Sequence, residues 1–510
     1  MKKKLVLLLI CVSFITITHA QVAGRTSFIK DSIDVYINRA LTNWRIPGVA
    51  VCIVKDNNVV LMKGYGIKEL GLPEKVDENT LFMIGSNTKA FTATALAMLQ
   101  DQKKLSLDDY VTKYIPTFRL ENKPAGEMTT IRDLLCHRLG FKTFQGDFTF
   151  YNTDLTRAQI IDRLGRMKAA YPFRTKWGYT NAAFLTAGEI IQRVTGQTWE
   201  MYLKQNIFAP LGMMNTLALT ADMPKSYNRT VAHTLVDERL SAIPYGQLDG
   251  LAPAASISSS VNDMSKWVLA LLNNGKVGVR QVIPDAAILA TRAPQDIVGS
   301  IRHLNGETNY ELYGLGWFLQ DYAGHRIVMH DGGVSGYVSS VTLVPQEHLG
   351  IIILTNTDQN AFYEALRWEI MDAYFKLPYR NYSEAYLSSF KSNMAAEQKV
   401  YKTWRDSVAL NLQPAAPIAN YTGKYVNEFY GSMVISQGEN NDLEARFEHH
   451  PKMFVKLQPI GGHRFFATFS DPIYGKTVFP FSFQNGKITG VKVKVADFVE
   501  ADPYEFKKVN

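Results

Sequence analysis

Cysteine is almost missing from this chain, with three in 510 residues. Cys11 falls in an N-terminal apolar run, Cys52 sits within the strand-like residues 49–54, and Cys136 follows Leu134-Leu135. The latter two read as small core residues, which excludes a disulfide framework and a cysteine metal cluster. Beyond residue 20 no segment is long and apolar enough to span a bilayer. The positive charges are scattered, and no basic cluster is interleaved with aromatics, so nucleic acid is not an expected partner. Internal repeats and low-complexity tracts are missing too. So are a Gly-x-Ser-x-Gly elbow, a His-Glu-x-x-His helix and a phosphate loop, and with them three common chemistries.

What is present begins with a leader. Lys2-Lys3-Lys4, an apolar stretch over residues 5–17 and Thr18-His19-Ala20 before Gln21 have the pattern of a secretory signal cleaved near Ala20. The apolar run is short for a span, and Ile10 before Cys11 is too bulky for a lipid-attachment site. An exported product, periplasmic or extracellular, is expected. The net charge is +8, three units of it from the leader lysines. With 46% hydrophobic and 20% charged residues, the chain is long enough for two or more domains.

The most informative stretch is Ser86-Asn87-Thr88-Lys89. It follows the apolar Leu81-Phe82-Met83-Ile84 and Gly85, and opens a segment with apolar residues at three- and four-residue intervals. Positions i and i+3 share a helix face, so Lys89 Nζ can reach Ser86 Oγ. Serine needs a neighbouring base to become nucleophilic, and lysine can be that base only if its pKa is lowered. Desolvation against Phe82 and Phe91 and the helix dipole would both lower it. The bland alternative is an N-cap serine. Ser27/Lys30 and Ser388/Lys391 repeat the spacing and read as helix-surface pairs.

Two further motifs suit the same chemistry. Tyr179-Thr180-Asn181 stands before an apolar helix over residues 182–194 that Gly196 ends. Tyr179, near two cations, could have its pKa lowered and act as base or acid, and Asn181 could donate its amide to a substrate carbonyl. Tyr36/Asn38 and Tyr425/Asn427 repeat this pattern and read as surface packing. His330-Asp331-Gly332-Gly333 ends a strand, where glycines let a substrate backbone come close. His330 is expected to line the pocket and bond Tyr179 or substrate, while the amides of Ser86 and Gly333 face one acyl oxygen. His348-Leu349-Gly350 reads as a structural turn.

Residues 49–66 read as two strands joined at Asp56-Asn57-Asn58. Residues 81–330 read as mostly helices and long loops. Strands return at 327–329, 338–344 and 351–354, followed by a helix over 361–375. Strands at both ends around a helical insertion predict an α+β antiparallel sheet with flanking helices. A polar, helix-compatible connector over 382–412 leads to strand patterns at 433–435, 453–457, 465–469, 478–479 and 491–495, with a hairpin at Asn485-Gly486. The division predicted is a leader over 1–20, a catalytic domain over 21–380, a linker over 381–417 and a small β-barrel or sandwich over 418–510.

In this order and at these element ends, the motifs resemble the serine β-lactamase and penicillin-binding-protein superfamily. The branch most resembled holds class C β-lactamases, D-amino-acid-specific peptidases and related esterases (peptidase family S12). The similarity runs from about residue 30 to 375 and includes residues 46–51, 82–89, 130–137 and 258–267. Residues 421–425 resemble the lipocalin-like barrel often appended to such enzymes. The resemblance implies a β-lactamase/transpeptidase-like fold without metal or other cofactor. It also implies Ser86 as acylated nucleophile, Lys89 as its proton-transfer partner and Tyr179 as general base/acid. Asn181, His330 and Gly332 would contact substrate, and the Ser86 and Gly333 amides would form the oxyanion hole. Antibiotic-hydrolysing members have lysine where His330 stands, so small esters and amides, including D-amino-acid peptides, are the expected substrates. The alternatives are a β-lactamase, an acyltransferase using the same acyl-enzyme, and a penicillin- or muropeptide-binding protein without turnover.

Other residues take plainer readings. His137 reads as a hydrogen-bonded structural histidine, and His449, His450 and His463 as exposed turn residues. Phe465, Phe466, Phe469, Phe479, Phe481 and Phe483 read as barrel core, and Arg174 and Lys176 as solvated loop charges. Loops within 200–325 are expected to shape the acyl pocket. The C-terminal strands could serve as lid, as a binding module or as a surface joining copies of the chain.

Overall fold

A computed structural model describes residues 27–304, 306, 308–439 and 441–509; the leader expected at 1–20 lies outside them. Among the described residues no helix is long and apolar enough to cross a membrane.

One strand, Gly48–Lys55, is apolar along nearly its whole length because both its faces are covered. Ala50, Cys52 and Val54 point into one core, Val49, Val51 and Ile53 into another. It is the second strand of an eight-stranded sheet. The spatial order is Asn58–Gly66, Gly48–Lys55, Leu349–Thr355, Tyr337–Val344, His325–Val334, Phe318–Tyr322, Thr308–Tyr313 and Asp296–Arg302, with every neighbouring pair antiparallel. Asp56 and Asn57 turn the first hairpin with φ of 50° and 64°, the backbone that a two-residue type I′ turn requires.

Helices cover both faces of the sheet. Ile33–Trp44 and Phe362–Tyr374 lie on one side, and Thr88–Asp101 and Val261–Leu272 belong to the core on the other. Thr88–Asp101 is buried on all sides through Leu99, Lys89 included. The residues between 81 and 330 are less purely helical than their pattern predicts. Asp296–Arg302, Thr308–Tyr313 and Phe318–Tyr322 extend the sheet. Two of these strands are partly solvent-facing, with Ile297 and Tyr310 exposed, so they lack the clean apolar signature of the inner strands.

The polar connector is a single helix, Tyr382–Ala409. Beyond it eight strands close into a barrel. Asn485 and Gly486, at φ of 49° and 78°, turn its Lys476–Gln484/Lys487–Val493 hairpin. The strands Gly423–Asn427, Leu443–Phe447 and Tyr504–Lys508 were not legible in the sequence. Five of the six phenylalanines named above are buried, but Phe483 is exposed and stacks on His463 instead. Tyr36 and Tyr425, expected at the surface, are buried in the cores.

The barrel core includes a residue from outside the barrel. Phe148 is fully buried among barrel side chains, stacked on Tyr430 and His450 at 5.2 Å from each ring. His450 is therefore buried rather than exposed, bonded to the Tyr430 hydroxyl and to the Tyr151 carbonyl. Its partner His449 is half-buried and bonds Arg163 and Asp154. Phe148→Ala should cost about 3–5 kcal/mol, read as a lowered denaturant midpoint of tyrosine fluorescence or circular-dichroism signals.

Candidate active site

Ser86 sits in a 3₁₀ turn, Gly85–Asn87, that leads directly into the helix Thr88–Asp101. The turn does not use Ser86 as a helix cap; the residue before the helix is Asn87, whose side chain makes no cap bond. Instead Asn87 Nδ2 donates to Ser339 Oγ at 2.8 Å, and Ser339 Oγ donates to the Ile84 carbonyl at 2.7 Å. The Thr88 hydroxyl accepts from the Ile257 amide at 3.1 Å. The serine turn is thus tied to the sheet on one side and to the helical region on the other.

Glycines bring the strand His325–Val334 against this turn. A Cβ on Gly332 would lie 2.0 Å from the Ile84 carbonyl oxygen and one on Gly85 3.1 Å from the Gly333 nitrogen. Gly85 also holds φ of 51°, which favours glycine. Backbone contact between the Ser86 turn and the Gly332-Gly333 pair is possible only without side chains there.

Lys89 Nζ has three partners: Ser86 Oγ at 3.1 Å, Asn181 Oδ1 at 2.6 Å and the Ala254 carbonyl at 2.9 Å. Two can only accept; the serine hydroxyl can also donate. A neutral amine with two hydrogens therefore donates to the two carbonyls and presents its lone pair to the Ser86 hydroxyl. Burial pushes the Lys89 pKa down to about 7, against an opposing pull from Asp147. The rings facing the amine are Tyr179 and Phe184, at 4.6 and 5.5 Å from their centroids. They were not the rings expected: Phe91 stacks on Trp267 and Phe82 packs edge-on to Tyr337.

Tyr179 precedes the helix Asn181–Thr195. Its side chain is buried, and burial raises its pKa above the usual phenol value; a hydrogen bond with Ser86 opposes the shift and Asp147 adds to it. The lowered pKa expected from two cations is overturned, because burial dominates. His330 is buried and its pKa is pushed down to about 4, by burial and by Lys89. His330 Nδ1 lies 2.6 Å from the Asp331 carbonyl and Nε2 3.2 Å from the Tyr313 hydroxyl. A carbonyl can only accept, so the neutral ring carries its proton on Nδ1 and accepts from Tyr313 at Nε2. The expected bond to Tyr179 is replaced by a ring contact at 6.1 Å.

Asn181 does not present a free amide. Its Oδ1 accepts from Lys89, and its Nδ2 donates to Asp147 Oδ2 at 2.6 Å. Asp147 went unnoticed in the sequence; a lone acid within Phe144-Gln145-Gly146-Asp147-Phe148 was the signal available. His137, behind Tyr179 at a ring distance of 4.3 Å, accepts from the Thr180 amide and has the structural role expected of it. Arg174 is not a free loop charge but pairs with the buried carboxylate of Asp133 at 2.6 Å.

Ser86, Asp147, Tyr179, Asn181 and His330 border a cleft of about 430 Å³ lined by aromatic residues, among them Phe144, Tyr151, Trp177 and Phe318. Residues 143–151, 358–363 and 498–499 contribute to its wall, so the loops within 200–325 shape it only in part. Phe498 and Val499 come from the C-terminal unit, and the Phe498 ring would lie 3.2 Å from a Cβ on Gly333. Among the described residues no cluster of three or more His, Cys, Asp or Glu could hold a metal ion.

The sheet, its helical layers and the Ser-x-x-Lys, Tyr-x-Asn and His-x-Gly order define the serine β-lactamase/penicillin-binding-protein class, here with an appended eight-stranded barrel. The chain matches the Beta-lactamase family over residues 33–375, and it belongs to that family, which is hydrolytic. Residues 409–508 match a domain of unknown function, DUF3471. The chain is 27% identical over 482 residues to the unguisins hydrolase ungD of Aspergillus violaceofuscus, covering 88% of this chain and 84% of that one. Its fold is similar to that of the octameric penicillin-binding protein homologue from Pyrococcus abyssi, with a TM-score of 0.59 at 19% identity, over 93% of this chain and 99% of that one. A D-stereospecific amidohydrolase from Streptomyces sp. gives a TM-score of 0.52 at 21% identity, over 61% and 90% of the two chains.

Gly332→Ala should force the strand away from the serine turn, costing about 1–3 kcal/mol of stability. Thermal melts and the rate of Ser86 labelling by a fluorophosphonate should both report it.

Proposed function

We propose that this chain is an exported serine hydrolase that cleaves small esters or amides, D-amino-acid peptides among them, through an acyl-enzyme on Ser86. The observation that carries this reading is the buried Lys89 amine, with its pKa near 7, 3.1 Å from Ser86 Oγ and otherwise held by two carbonyls. The relative named as a hydrolase and the amidohydrolase of similar fold support it, and the leader over residues 1–20 supports export.

Ser86 Oγ attacks the acyl carbon while its proton passes to neutral Lys89. The amides of Ser86 and Gly333 hold the oxyanion, each such donor being worth about 3 kcal/mol. Tyr179, kept a neutral phenol by burial, gives its proton to the leaving amine or alkoxide and recovers one from the Lys89 ammonium. Water then attacks the acyl carbon, its proton passes to Lys89, and Lys89 returns a proton to Ser86 Oγ as the ester bond breaks.

The cleft also offers an anionic substrate no cation. Asp147, Asp331 and Asp358 are among its lining residues, while no lysine or arginine among the described residues is. Neutral His330 has both ring nitrogens engaged and offers no cation. Uncharged acyl donors are favoured over the carboxylate of a β-lactam, and Asn181, His330 and Gly332 border the bound substrate.

Intact mass after brief exposure to an activated ester, a D-alanyl amide and a fluorophosphonate tests the reading. Wild type should gain a Ser86-dependent adduct, lost in Ser86→Ala, and should release product from at least one substrate. No adduct on folded protein refutes the acyl-enzyme, and a stable adduct without product points to the non-turnover binding protein. The pH profile of kcat/KM should rise through about pH 7 as Lys89 loses its proton, because only the neutral amine can take the serine proton. A flat profile between pH 5 and 9 would argue against Lys89 as base.

A further inference from the structure

We infer that Asp147 is a positioning residue for Lys89, that it acts through the Asn181 amide, and that the C-terminal barrel holds it in place through Glu500. The inference rests on the acyl-enzyme reading above.

An asparagine amide can face a neighbour with its oxygen or its nitrogen, and the two choices have opposite effects here. With Oδ1 toward Lys89, the amine donates to Asn181 and keeps its lone pair for the Ser86 hydroxyl. With Nδ2 toward Lys89, the amide would donate into that same lone pair and compete with the serine. Asp147 settles the choice. Its carboxylate oxygen Oδ2 accepts from Asn181 Nδ2 at 2.6 Å, which turns Oδ1 toward Lys89, also at 2.6 Å. One Nδ2 hydrogen remains for a ligand in the cleft.

Asp147 is 5% exposed, and its other oxygen, Oδ1, has no hydrogen-bond partner. A carboxyl group so poorly solvated needs support from the backbone that carries it. That support comes from the barrel. Glu500 Oε1 accepts from the Gly146 amide at 2.8 Å and Oε2 from the Phe148 amide at 3.1 Å, the two amides that flank Asp147. The Tyr504 hydroxyl donates to Glu500 Oε2 at 2.8 Å. Phe148, buried in the barrel core, anchors the same turn from its other end. The barrel therefore grips the residues on both sides of Asp147. Burial raises the pKa of both acids; at Asp147 Glu500 adds to the shift, while the Asn181 hydrogen bond and Lys89 oppose it, and at Glu500 the bonds from Gly146, Tyr504 and Phe148 oppose it.

The test uses the full chain and a p-nitrophenyl ester, with thermal melting on every variant. Asp147→Ala should lower kcat about 10²-fold, the scale of a misplaced catalytic group, with KM little changed. Asp147→Asn keeps an oxygen at the same place without imposing the amide's orientation, and should recover part of the loss. Glu500→Gln leaves one oxygen for two amides and should fall between wild type and Asp147→Ala in kcat. A loss confined to KM overturns the inference, as does wild-type kcat in Asp147→Ala and Glu500→Gln. Equal kcat in Asp147→Ala and Asp147→Asn also overturns it. A wild type that forms no Ser86 adduct overturns the hydrolase reading as well, so the two failures are distinguishable.

Discussion

The placement of one amine governs this structure. Lys89 Nζ lies at the start of a helix buried on all sides, and everything around it serves to keep a potential cation out of water without neutralising it by a direct ion pair. Two carbonyls and a hydroxyl meet its hydrogen-bonding capacity. The nearest carboxylate, Asp147, is kept one amide away. A direct carboxylate contact would hold the lysine protonated, and a fully apolar surround would leave its hydrogens unsatisfied. The observed arrangement avoids both.

Around that amine the sheet and the glycines act as spacers. The Gly332-Gly333 strand can touch the serine turn because neither side brings a side chain to the contact. His330, one register step away, is turned inward to Tyr313 and Asp331 rather than outward as a charge. Asp331 itself is drawn to Arg367, which is buried and pairs with it at 2.7 Å. The wall opposite the serine is consequently aromatic and without a free cation among the described residues, and its chemistry differs from a pocket built to grip a carboxylate.

Much of this was legible in the sequence. The Ser-x-x-Lys spacing reports a helix face directly, and inner strands such as residues 49–54 report burial through unbroken apolar runs. The strands Asp296–Arg302 and Thr308–Tyr313 were not legible, because half-exposed strands mix polar and apolar residues without a clean period. The electrostatics of Tyr179 were misread for a different reason: a motif names neighbours, but only the fold says how far each is buried. Asp147 and Glu500 were invisible as a pair because 354 residues separate the Gly146 amide from the carboxylate that holds it. His450 reads as a turn residue in the sequence because Phe148, which stacks on it, is remote along the chain.

The sheet order has a consequence for the nascent chain. Gly48–Lys55 finds its second neighbour only in Leu349–Thr355, and the serine turn finds its backing strand only in residues 332–339. For most of its synthesis the chain therefore holds Ser86 and Lys89 without the strands that frame them. Pairings of such long sequence separation form slowly. The Ser86 turn therefore gains its full frame only after the chain has been made through Thr355.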